Sequence, residues 1–214
     1  MMVLKGQYLE RPTLIPLENG LVLEGVSHRG EKRPGLLVLA PPPIEGSGMD
    51  HVVGAELAYA VSHAGHPTLR FNYRGVGGSQ GRPSKSPRDW LEDAHAAHQL
   101  AMDNTEGAAP VLAAIGASDA VALKLAAEKP VAGVVLINPS LARPEDFEAR
   151  VSLPWPLAVI LAELDSNQDR GRWAAALEKL EADFTIVPGA TRAYQRNLPL
   201  VGKAAVSLVG KAGN

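Results

Sequence analysis

Apolar residues in this chain cluster in short unbroken runs, and stretches of helical spacing lie between them. The runs are "GLLVLAP" (35–41), "PTLRFNY" (67–73), "PVLAAIGA" (110–117), "VAGVVLINP" (131–139) and "PLAVILAEL" (156–164). Each is rich in branched aliphatics and bounded by proline or glycine, which suits strands buried on both faces. Helical spacing covers 49–64, 87–103, 118–129, 169–182 and 198–212. Gly65 and Pro130 stop two of these helices, and Ser86 with Pro87 opens another. Residues 7–15 and 21–27, split by "ENG", predict an antiparallel hairpin, and 183–188 a last strand.

Strands alternating with helices predict an α/β fold: a mainly parallel twisted sheet with helices on both faces, behind an N-terminal hairpin. In such folds the chemistry gathers at the carboxyl ends of the strands. Composition adds limits. A chain of 214 residues that is 46% hydrophobic can bury one substantial core, so a single domain over 1–214 is expected. A formal net charge of −2 gives no footprint for nucleic acid or an anionic membrane. With no cysteine, thiol catalysis and thiolate metal sites are excluded; neither a metal nor a cofactor is expected. The start "MMVLKGQYLERP" lacks the apolar core of a signal peptide, and no apolar run approaches a membrane span. A cytoplasmic protein is the expectation.

One stretch draws attention as chemistry. "IGASDAVAL" (115–123) reads as a strand entering a sharp turn and then a helix, with Ser118 at the apex. Taken with "LVLAPPPIEGSGMD", "LRFNYRGVGGSQG", "GVVLINP", "ILAELD" and "VPGATRAY", in that order, it resembles the α/β-hydrolase fold family. The resemblance is to the small bacterial lid-less members, serine-hydrolase or dienelactone-hydrolase-like, and runs from about residue 21 to the C-terminus. It implies that fold with no large lid.

It also implies a site. Ser118 falls on the nucleophile of a G-x-S-x-G elbow, written here Gly116-Ala117-Ser118-Asp119-Ala120, strained and at a helix N-terminus that favours negative charge. The plainer alternative is that Ser118 caps the helix. Asp165 falls on the triad acid, or caps the following helix. The histidine position is held by Arg192, which cannot accept a proton near neutral pH. No histidine follows His98. Of His28, His51, His63, His66, His95 and His98, only His51 opens a helix at the catalytic edge. His95 and His98 read as a solvated face. The oxyanion site draws on Asp119 and on the loop "PPPIEG". Proline offers no N–H, so Ile44 or Gly46 is the replacement donor; the Asp119 carboxylate would oppose an oxyanion if it pointed inward.

"RGVGGSQG" (74–81) follows a strand but is not followed directly by a helix, against a nucleotide-binding loop. Arg74, Arg82 and Arg192 could form an anion-friendly patch, or be consumed in salt bridges; Arg192 with Asp165 is the pair to look for. Trp90, Trp155 and Trp173 suit packing. The leading expectation is a pseudo-hydrolase with a decayed triad of Ser118, Asp165 and Arg192, binding a small acidic ligand or a protein partner. The alternative is an esterase or a non-hydrolytic acid–base enzyme using Ser118 with His51. A third reading is an interaction module that pairs through a sheet edge or the last helix.

Overall fold

In a computed structural model, which describes residues 9–148 and 152–213, eight strands form one sheet. Strand β1 (Arg11–Pro16) and β2 (Val22–His28) make the antiparallel hairpin. β3 (Leu36–Leu39), β4 (Thr68–Phe71), β5 (Val111–Ile115), β6 (Gly133–Ile137), β7 (Leu157–Ala162) and β8 (Asp183–Val187) follow. Their order across the sheet is β1-β2-β4-β3-β5-β6-β7-β8. β2 runs antiparallel to β4, and every pairing from β4 to β8 is parallel.

The helices are α1 (Val52–His63), α2 (Pro87–Asp103), α3 (Ser118–Glu128), α4 (Glu145–Glu148), α5 (Arg170–Glu178) and α6 (Pro199–Ala212). The period-2 alternation of the strands sorts the core into two layers. Val38, Ala113, Ile115, Val135, Ile137 and Ile160 pack against α1 and α6. Their neighbours Leu37, Leu39, Leu112, Ala114, Leu136 and Val159 pack against α2, α3 and α5. This is why the central strands read as unbroken apolar runs. The outermost strand β1 carries Pro12 and Pro16, as edge strands tolerate.

Between β6 and β7 the described residues hold only α4, of four residues; residues 149–151 of this connection lie outside the described residues, as does the start of the expected first strand. Two expectations change. His98 is not on a solvated face: it is 1% exposed, with Nε2 bonded 2.9 Å from the Pro130 carbonyl, because α2 buries that side against α3. Arg74 belongs to no anion patch: it is held by Asp93, Glu92 and Asp89. Asp93 is fully buried and takes the Arg74 backbone N–H as well, anchoring the glycine-rich loop to α2. Trp90 and Trp173 are buried as packing residues. Among the described residues no helix is long and apolar enough to cross a membrane.

Candidate active site

The parallel strands bring five segments to one edge: the loop after β3, the β5–α3 turn, the loops after β6 and β7, and the turn after β8. At the β5–α3 turn the chain reverses at Gly116, whose φ is 61°. Ala117 is already in the right-handed region at φ −70°, ψ −4°, and Ser118 is the first residue of α3. The left-handed tip is thus two residues earlier than the sequence reading placed it. The spaced small residues of the elbow are then Ala114-Ile115-Gly116-Ala117-Ser118, with glycine at the strained position. Glycine there pays no steric penalty for positive φ.

Ser118 is completely buried. Its hydroxyl lies 2.5 Å from the Ala40 carbonyl oxygen, to which it donates, and 3.0 Å from the Tyr73 hydroxyl. It ties α3 to the end of β3. Burial pushes the Tyr73 phenol far up, so the phenol stays neutral. His51 is not joined to Ser118. It N-caps α1, its Nδ1 accepting from the Val53 N–H at 3.3 Å, and burial holds its imidazole below the ordinary range.

The point above Gly116 is taken by Glu45. Pro42 leads into a single 3-10 turn, Pro43–Glu45, closed by Gly46 at φ 67°. The turn swings the Glu45 side chain over the strand end, where a Cβ built on Gly116 would collide with its carboxylate. An anion therefore already sits at the N-terminus of α3, where the helix dipole favours it. The same turn uses the loop's donors. Gly46 N–H bonds to Pro43 O at 3.2 Å and Glu45 N–H to Pro42 O at 2.9 Å. Ile44 is exposed. The Gly46 amide, expected as an oxyanion donor, is engaged inside the turn. Asp119 is engaged as well. Its N–H bonds to Gly116 O at 3.2 Å, and its buried carboxylate turns away to accept the N–H groups of Leu141 and Ala142, each at 2.8 Å. Burial pushes the Asp119 carboxyl up, against the lowering effect of those amides. Asp119 fixes the loop after β6.

Asp165 lies in the tight turn after β7, with Oδ1 accepting from Asn167 N–H at 3.0 Å. Its Oδ2 meets Arg192 Nη1 at 3.3 Å, the pair expected from the sequence. The Asp165 side chain is 3% exposed and that of Arg192 41%. Arg192 also reaches Ser140 Oγ and lies 3.7 Å from Glu45. The turn carrying it is held by Asn138, at φ 42° after β6. Asn138 Oδ1 accepts from Ala162 N–H at 2.9 Å and from the Tyr194 hydroxyl at 3.0 Å. The site thus presents Gly116, Glu45, Asp165 and Arg192 in one network: two carboxylates, one guanidinium and no imidazole. No group of three or more metal-ligating side chains occurs among the described residues. Sequence reasoning missed Glu45 because it lies 71 positions from Gly116; its short spacing after three prolines was the available signal.

An eight-stranded, mostly parallel sheet with its site on this edge and an N-terminal hairpin is the α/β-hydrolase fold. A solved α/β serine hydrolase homologue from Coxiella burnetii superposes with a TM-score of 0.77 at 22% identity, covering 97% of this chain and 99% of that one. A lid-less α/β serine hydrolase from Xanthomonas campestris gives 0.74 at 22% identity, over 94% of each chain. A dienelactone hydrolase from Anabaena variabilis gives 0.74 at 18%, over 95% and 97%. An uncharacterized protein of Mycobacterium tuberculosis is 33% identical over 159 residues, 72% of this chain and 53% of that protein. The chain therefore spans about half the length of the curated relatives it matches. No family model matches the chain.

Proposed function

We propose that this chain is a hydrolase-fold binding protein whose cleft does not perform serine-hydrolase chemistry. The observation that carries the reading is the Glu45 carboxylate seated over Gly116, where the fold holds its nucleophile. Two further features agree with it. Ser118 is enclosed and already donates its proton to a carbonyl, and Asp165 neutralises a guanidinium rather than orienting an imidazole. Stabilising an oxyanion beside Glu45 would set two negative charges together, and losing one oxyanion donor alone costs about 3–4 kcal/mol. The cleft instead suits a small molecule or a protein segment held without turnover. Its excess of one carboxylate favours a neutral or basic group over the acidic ligand expected from the sequence. The test is a fluorophosphonate probe with p-nitrophenyl acetate at neutral pH. The wild type and Ser118→Ala should show the same absence of labelling and the same background cleavage; labelling that vanishes in Ser118→Ala overturns the reading.

A further inference from the structure

Opposite the cleft, at the edge where β2 ends and β4 begins, a cavity of about 490 Å³ opens among Arg11, Thr13, Ser27, His28, Arg29 and Asn104. The geometry points to an anion site here, for a small phosphate-bearing molecule. The charge balance is the first reason. Neither Arg11 nor Arg29 has a carboxylate partner among the described residues, and Arg11 Nε is buried with no hydrogen-bond partner there. The adjoining acid, Glu10, is engaged by Arg70 at 2.5 Å.

The donor set is the second reason. Arg11 stands opposite Ser27 in the β1–β2 register; the Thr13 hydroxyl donates to the Arg11 carbonyl at 3.1 Å and lies 2.9 Å from the Ser27 hydroxyl, so the donors left for a ligand are the guanidiniums. His28 holds Thr68 through Nδ1 at 2.9 Å. The nearby end of α2 does not need these cations. The Thr105 hydroxyl lies within hydrogen-bond reach of the Ala101 and Ala108 carbonyls, and Arg33 Nε donates to the Thr105 carbonyl. Two guanidiniums lining one cavity match a phosphate group, which accepts forked N–H donors. This site is independent of the cleft and of its proposed role.

Calorimetric titration of the whole chain with inorganic pyrophosphate, at constant ionic strength, tests it. The wild type should bind with a dissociation constant below about 1 mM. Arg29→Gln, an exposed change, and Arg11→Gln should each weaken binding at least about tenfold. Arg11→Lys should fall between, keeping charge but losing the planar fork, while Lys179→Gln, remote from the cavity, should bind as the wild type does. Circular dichroism checks folding, and Arg29→Gln stands alone if Arg11→Gln does not fold. No pyrophosphate binding by the wild type, or unchanged binding in Arg29→Gln, overturns the site. Binding of citrate in place of pyrophosphate overturns the phosphate assignment.

Discussion

If Glu45 covers the elbow, substituting Gly116 should cost more with that carboxylate present than without it. Gly116→Ala places a methyl group at φ 61°, a left-handed conformation that costs a non-glycine residue about 1–2 kcal/mol. In the wild type the methyl also meets Glu45, with Cδ at 3.0 Å, Oε1 at 3.1 Å and Oε2 closer still. The obstacle is the end of a side chain, so it yields by rotating away. Rotation gives up the 3.7 Å approach to Arg192 and the 3.4 Å bond from Ser140. For half-exposed partners that loss amounts to about 0.5–1 kcal/mol. Gly116→Ala should therefore cost about 1.5–3 kcal/mol, but only about 1–2 in a Glu45→Ala background. Urea denaturation of wild type, both single variants and the double variant closes the cycle. A coupling below about 0.3 kcal/mol would mean that Glu45 does not occupy that position, and the argument for a blocked nucleophile seat would fail with it.

Ser118→Ala should destabilise by about 1–2 kcal/mol, read by urea midpoint, because it strips a hydroxyl that ties the buried Ala40 carbonyl to Tyr73. Arg74→Leu strands the fully buried Asp93 and should cost about 3–5 kcal/mol, with loosening of 74–81 visible by hydrogen exchange. His98 has its folded pKa lowered, chiefly by burial. Its contribution is present above its ordinary 6.5 and is lost as pH falls through the lower folded value, so wild type should lose stability relative to His98→Gln as pH is taken from above 6.5 down through that lower value. The combined Glu45→Ala, Gly116→Ser, Arg192→His variant should take up fluorophosphonate slowly, with the adduct mapped by mass spectrometry to position 116. An adduct at Ser118 would contradict the assignment of the tip.

The strands were legible because a sheet covered on both faces leaves no room for polar positions, so Leu36–Leu39 and Leu157–Ala162 announce themselves. The Arg192–Asp165 pair was legible because the resemblance implies triad positions for both, at the same edge of the sheet. The tip was not. Ala114-Ile115-Gly116-Ala117-Ser118 and Gly116-Ala117-Ser118-Asp119-Ala120 are both small at their ends, and only the backbone sign at Gly116 separates them. A strand carried to Ala117 puts Ser118 at the apex; ending it at Ile115 turns the same serine into a buried brace. Glu45 was hidden for another reason. Its position depends on how a 3-10 turn closes after Pro42, and no periodicity reports that. The buried side of His98 was missed because α2 contacts α3, a helix–helix contact that the spacing of α2 alone does not reveal.

The prolines of β1 carry one last consequence. A border strand exposes amide donors along its outer rim, and those donors are what a foreign strand would grip. With none at positions 12 and 16, the rim of β1 is a broken rail. Fibre-like growth or swapping by lateral annealing is discouraged on that flank, which leaves β8, whose Ile186 is 40% exposed, as the flank where another chain could zip on.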